Sequence, residues 1–155
     1  MSPDLEILLK TKYPELLQRL HENAGRTALG DHVIQCGDGW FSIIDDFCRA
    51  LEEVVKVARF PQPIVVQITQ EAGRLRVEVD VPRSGRPDVD ALLAVAQKRS
   101  ATACEVCGAP AVLRWQHGVQ TVCDLHANSG VRVVQDGDFE RVQDSREARR
   151  KARVP

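Results

Sequence analysis

The chain has 155 residues, 43% of them apolar and 28% charged, a composition typical of a globular protein of one compact domain with a small appendage. The formal net charge of −1 excludes a polycation that coats nucleic acid, and no apolar run approaches the roughly 18 residues of a membrane-spanning helix. The first residues include Asp4 and Glu6 and no basic segment. We therefore expect no secretory signal, no membrane partner and a cytoplasmic location.

The N-terminal quarter predicts two short helices and a loop. Ser2-Pro3-Asp4 is typical of a helix start, and Pro14 should interrupt this helix. A second helical stretch, 15–22, should end at Asn23-Ala24-Gly25. Residues 25–39 then form a glycine-rich loop.

The clearest helix lies at about residues 39–59. Its apolar residues follow the rhythm of a helix that buries one face: Trp40, Ile44, Phe47, Leu51, Val54, Val55 and Ala58. Asp38 is the candidate N-cap, and the prolines at 61 and 63 should stop the helix. We expect Cys48 to be a buried thiol, and Cys36 to be a loop thiol without a role.

Two strands, 64–70 and 74–81, should form a hairpin through Glu71-Ala72-Gly73. An amphipathic helix at 88–99 follows, with Leu92, Leu93, Val95 and Ala96 on its apolar side. The expected fold class is therefore α+β. N-terminal helices and one long central helix pack on a β-hairpin or small antiparallel sheet, and a zinc ribbon-like module follows.

That module is predicted from four residues with the spacing C-x2-C-x15-C-x2-H: Cys104, Cys107, Cys123 and His126. Two ligands separated by two residues can bind one ion from a single tight turn, and Zn²⁺ prefers four sulfur or nitrogen ligands in a tetrahedron. A hairpin between the two pairs would bring them together. The pattern predicts one structural Zn²⁺ per chain, with no coordination position left open for catalysis.

The predicted organisation is a body at 1–100, the Cys3His module at 101–129 and a C-terminal segment at 130–155, together one compact unit. The last segment begins with a short strand at 131–134. Residues 141–155 contain six basic and two acidic residues, a net charge of +4, and we expect a frayed helix or disorder there.

Three runs of this sequence resemble motifs of a known family of small proteins. The run 36–41 reads C-G-D-G-W-F, Ile44-Asp45 follows it, and 104–110 reads C-E-V-C-G-A-P. Over roughly residues 13–127 the chain resembles a family of small uncharacterised bacterial and phage proteins with a C-G-x-G-W-F motif and a C-terminal C-x-x-C and C-x-x-H module. The strand turn of that family often reads K-F-G-G-L-R, whereas residues 71–76 read E-A-G-R-L-R. The resemblance implies one fold with a zinc module, and it implies no mechanism.

Three classes of function compete. An enzyme is disfavoured, because the chain has no H-E-x-x-H, P-loop or G-x-S-x-G motif. A nucleic-acid-binding zinc-ribbon protein is the alternative. Between Cys104 and Asn128, however, Arg114 is the one cation beside two acids, and phosphate binding needs several. Nucleic acid would therefore bind through the basic tail 141–155.

The favoured interpretation is a non-enzymatic bacterial protein-binding module. Such a module could act as an accessory, regulatory or toxin-neutralising (immunity-type) protein, by analogy with other small proteins. The candidate partner surface is acidic, and its residues come from the glycine-rich loop and the long helix: Asp31, Asp38, Asp45, Glu52 and Glu53.

Overall fold

The computed structural model describes residues 1–17, 34–115 and 118–127, and the backbone of 131–132. Within these ranges the chain combines helices with two small three-stranded sheets, which confirms the expected α+β class. No helix in the described ranges is long and apolar enough to cross a membrane.

The N-terminal helix α1 spans Pro3–Lys12 and ends at Tyr13, directly before Pro14 as predicted. Residues 14–17 form a turn, and the rest of the second helical stretch lies outside the described residues. Leu9 and Leu16 are fully buried here and begin the apolar core of the body.

The long helix α2 spans Phe41–Ala58 and is entered through strand β1 (Ile34–Gln35) and a 3-10 turn (Asp38–Trp40). The predicted stripe is buried at its N-terminal end and emerges at its C-terminal end, where Val54 and Val55 are half-buried. The helix ends at Arg59, which takes the left-handed conformation and donates its amide to the Val55 carbonyl.

Strands β2 (Ile64–Glu71) and β3 (Arg74–Asp80) form the predicted hairpin. Ala72 and Gly73, with φ of 48° and 76°, make its two-residue turn. Strand β1 pairs in parallel with β2, so the sheet order is β1-β2-β3 and the sheet is mixed. The antiparallel sheet expected from the sequence is corrected on this point, because a two-residue strand inside a glycine-rich loop leaves no alternating pattern.

Helix α3 spans Arg86–Ser100, packs on β3 and is the main neighbour of α2. The long helix therefore packs mainly on this helix, and the main helical neighbour of the hairpin is α3, whereas the sequence predicted that the long helix packs on the hairpin. Val89 and Ala96 are buried, whereas Val95 is 57% exposed, contrary to its expected place on the apolar side. The buried face follows positions 89, 92/93, 96 and 100, and Val95 lies off that stripe.

The residues after α3 form the knuckle module, 101–127 with strand β6. It contains β4 (Val112–Trp115), β5 (Val119–Val122) and β6 (Val131–Arg132), in the sheet order β5-β4-β6. The β6 pairing agrees with the strand predicted at 131–134. The module has its own small buried cluster, Cys104, Val122 and Cys123.

The β2–β3 turn contacts the knuckle module. Thr121 donates its hydroxyl to the Gly73 carbonyl at 2.5 Å, and Gln70 donates its side-chain amide to the Val119 carbonyl at 2.6 Å. A Cβ on Gly73 would overlap the Leu113 side chain. Glycine is therefore favoured at this turn by its positive φ, and a larger residue would also displace the Leu113 side chain.

Candidate metal centre

The first half of the centre is a tight turn directly after α3. The Gly108 amide donates to the Cys104 carbonyl at 2.8 Å, and the Cys104 amide donates to the Ala109 carbonyl at 2.7 Å. Gly108 has a φ of +77°, a conformation that glycine adopts without strain. This closure places the Cys104 and Cys107 side chains on one side of the turn.

The second half follows β5. The pairing of Val112 with Val122 aligns the β4–β5 hairpin so that Cys123 emerges beside the first turn. A 3-10 turn over Asp124–His126 then brings the imidazole back toward the cysteine, with the His126 amide donating to the Cys123 carbonyl at 3.1 Å. The hairpin thus joins the two ligand pairs, as the sequence predicts.

The four candidate ligand atoms lie within 4.8 Å of one another, an arrangement that could hold a metal ion. Cys107 Sγ and Cys123 Sγ are 3.8 Å apart, and His126 Nδ1 lies 3.6 Å from Cys104 Sγ and 3.2 Å from Cys123 Sγ. Tetrahedral zinc with its usual bond lengths has S···S edges of ~3.8 Å and S···N edges of ~3.6 Å. The donor set and its spacing therefore fit such an ion.

Backbone hydrogen bonds favour the thiolate form of Cys104. Burial alone opposes ionisation of this thiol, but hydrogen bonds from the backbone of Cys123, Cys107 and Val106 outweigh it, and together they lower its pKa from 9.0 to about 6. Thiolate is the form of cysteine that binds metal.

Cys36 and Cys48 lie outside the centre. Burial raises the pKa of each to about 12, so both remain protonated at neutral pH. The expectation of a buried thiol at Cys48 is confirmed. Cys36 is also buried and lies in a loop, as expected, although its burial was not predicted.

The glycine-rich run 37–40 contacts the first of the two tight turns that carry the candidate ligands. We call these turns the metal turns, and we call the run 37–40 the seat of the first one. The sequence did not predict this role. The Gly39 amide donates to the Glu105 carbonyl at 2.8 Å, and the Gly37 amide donates to the Glu105 carboxylate at 3.1 Å. The buried Trp40 indole donates to the Ala103 carbonyl at 2.8 Å. A Cβ on Gly39 would overlap the backbone of Cys104, so the two glycines next to a tryptophan were the available signal.

Asp38 has a different role from the one predicted. The structure shows no side-chain cap at the start of α2, and the Asp38 carboxylate instead accepts the Ser2 amide at 2.6 Å. In the 3-10 turn the Asp38 carbonyl accepts the Phe41 amide, while the carboxylate binds the start of α1.

The other candidate partner residues in the described ranges have neighbours of opposite charge. Asp45 accepts Lys12 at 2.6 Å and also the Tyr13 hydroxyl. The remaining two acids form ion pairs along α2, Glu52 with Lys56 and Glu53 with Arg49, each with a nitrogen-to-oxygen distance of 3.9 Å. Asp31 and the basic tail 141–155 lie outside the described residues.

Comparison with protein-family models, curated proteins and solved structures found no match to this chain. Metal binding is therefore inferred from the chain's own donors. Three thiols and one imidazole meet at a distance suited to one ion, and the turns that carry them are closed by backbone hydrogen bonds.

Proposed function

We propose that this chain is a non-enzymatic protein-binding module whose C-terminal part is stabilised by one structural Zn²⁺. Cys104, Cys107, Cys123 and His126 would bind the ion. Three sulfurs and one nitrogen form a borderline-soft set that suits zinc better than hard, oxygen-seeking cations. Four protein ligands fill a tetrahedron, so the ion has a structural role and no position for a reacting water.

The need for metal follows from the small core of the knuckle module. Its buried apolar cluster consists of Cys104, Val122 and Cys123, with small alanines packed around it. So little buried surface stabilises a fold poorly. Zinc binding supplies the missing stability, because the ion binds the folded arrangement of ligands far better than the unfolded chain.

The protein-binding role rests on one observation, the apolar residues exposed within both metal turns. Val106, between Cys104 and Cys107, is 50% exposed, and Leu125, between Cys123 and His126, is 91% exposed. A contiguous exposed apolar patch marks an interaction site, and these two side chains would supply the apolar part of such a patch. We define Val106 and Leu125 as the knuckle tips and propose that they contact the partner.

Charge supports a protein partner over nucleic acid. Arg114, the one cation between Cys104 and Ala127, forms an ion pair with Asp124. Phosphate binding would need several cations on this surface. An accessory, regulatory or toxin-neutralising role fits a module of this kind.

Metal analysis of the purified protein tests the zinc part of the proposal. We expect close to one zinc per chain in the wild type and in Cys48→Ala, and almost none in Cys107→Ser. Cys107 is exposed, so serine there removes a ligand without opening a cavity. A wild-type chain that is folded and free of metal would contradict the proposal.

A binding experiment tests the partner part. Proteins that co-purify with the tagged wild-type chain are identified and then tested, purified, against Val106→Glu/Leu125→Glu. We expect this double variant to lose the partner while it keeps its zinc. Val57→Glu, at an equally apolar site that is 84% exposed on α2, serves as the matched control and should still bind. Equal binding by all three chains would remove the knuckle tips from the interface.

A further inference from the structure

Strand β3 has a free edge. The sheet order β1-β2-β3 leaves one side of β3 without a strand neighbour in the part of the chain that the structure describes. In the register set by Glu71 and Arg74, the backbone groups of residues 75, 77 and 79 point away from β2. The Leu75 amide shows this direction, since it donates to the Ser100 hydroxyl at 2.9 Å.

Helix α3 contacts this edge at Leu75, whose amide donates to its Ser100, but it leaves the edge open beside Val77. An open groove of about 260 Å³ lies between the strand and the helix. The groove is lined by Leu75, Arg76, Val77, Asp90, Leu93 and Gln97, among others. Another strand could therefore approach the backbone of β3 at Val77.

The charged side chains of β3 alternate with its apolar ones, and their sign reverses at Val77. In chain order they are Arg74, Arg76, Glu78 and Asp80, two positive residues followed by two negative ones. If a second β3 lies antiparallel with Val77 at the two-fold axis, Arg76 faces the partner's Glu78, and Arg74 faces the partner's Asp80. The symmetry repeats both pairs, so every charge on this face meets its opposite.

We propose that two copies of the chain associate through β3, which pairs antiparallel with the same strand of the partner and joins the two sheets into one. The Val77 amide and carbonyl bond to the partner's Val77. The charged pairs then fall at non-hydrogen-bonded positions, where facing side chains lie closest. The association also covers an edge that would otherwise invite uncontrolled pairing.

Charge also selects this register over its neighbours. A two-fold axis at Leu75 would place Arg74 opposite the partner's Arg76. An axis at Val79 would place Glu78 opposite the partner's Asp80. Both alternatives put like charges face to face, and the axis at Val77 pairs only opposites. Arg76 already contacts Glu71 at 2.6 Å, but that pair is solvent-exposed and exchangeable.

Sedimentation equilibrium of the zinc-loaded full chain at low salt tests the proposal through a charge swap. We expect the wild type to dimerise reversibly. Arg76→Glu and Glu78→Arg each place like charges opposite one another twice, and each should raise the dimer dissociation constant by about tenfold or more. Arg76→Glu/Glu78→Arg restores opposite charges and should recover wild-type association. Arg83→Glu, which lies beyond the strand, is the control and should not differ from the wild type.

Val77→Pro provides a second test, through the backbone. Proline at this position removes an amide that points to the free edge and leaves the β2–β3 bonds in place. We expect a monomer with unchanged zinc content and circular dichroism. A wild type that stays monomeric up to about 1 mM would overturn the proposal. So would a dimer that persists in Arg76→Glu, or a double variant that fails to recover association.

Discussion

A buried cysteine ionises with difficulty in the body, residues 1–100, and readily in the knuckle module. Cys48 in the body and Cys104 in the module are both fully buried. Burial raises the pKa of Cys48 to about 12. Burial also opposes ionisation of Cys104, yet backbone hydrogen bonds lower the pKa of that thiol to about 6. Burial alone therefore does not determine the state of a thiol.

The difference lies in the backbone around each sulfur. Cys48 is in the middle of helix α2, where the amides are used within the helix, so its sulfur has apolar surroundings. Cys104 begins a tight turn whose amides point inward at the sulfur. The body is thus stabilised by apolar packing, whereas the module arranges polar groups around a candidate metal site.

Removal of the metal should produce the largest effect and should be confined to the module. Chelation of zinc, or Cys107→Ser, removes an interaction worth on the order of 10 kcal/mol in structural zinc sites. We expect loss of the dispersed amide signals of residues 101–127 in an NMR spectrum, while the signals of α2 persist. An unchanged spectrum after complete chelation would mean that the module folds without metal.

A core substitution should produce the reverse pattern. Phe47 is buried on α2 at 4% exposure, and Phe47→Ala should reduce the free energy of unfolding by roughly 3–5 kcal/mol through lost packing and a cavity. Zinc content in the folded protein should remain the same as in the wild type. Denaturant titration gives the first quantity and metal analysis the second. A loss of unfolding free energy below about 1 kcal/mol would contradict the prediction, because it would mean that Phe47 contributes little to core packing.

The sequence predicted these two regions unequally well. The rhythm of α2 and the alternation of β3 follow from apolar spacing, and the four candidate ligands follow from Cys and His spacing, because both signals are local. The seat formed by Gly37 and Gly39 was missed, since it depends on contact with Glu105, far along the chain. Asp38 was misassigned for a similar reason: capping is a local rule, but its carboxylate binds the distant Ser2 amide.

The seat offers a way to test how the two regions are joined. A Cβ on Gly39 would overlap backbone atoms of Cys104 and Gly108, which cannot move without disturbing the metal turn. We expect Gly39→Ala to destabilise the protein by about 1–3 kcal/mol and to speed zinc loss to a chelator. Ser42→Ala, at an exposed site in the first turn of α2, is the control. Equal rates of zinc loss in the two variants would show that the seat does not support the metal turn.

The smallest expected effect is a pH dependence carried by Cys48. Its thiol has a pKa of 9.0 in the unfolded chain and about 12 when folded, so the unfolded chain releases the proton first as pH rises. The stabilising contribution is complete below pH 9.0 and is lost progressively between 9.0 and about 12. The stability advantage of the wild type over Cys48→Ala should therefore shrink by about 1 kcal/mol between pH 8 and pH 10. Because both chains share the same metal ligands, the difference isolates Cys48. A constant difference over this interval would show that the thiol ionises in the folded body as easily as in water.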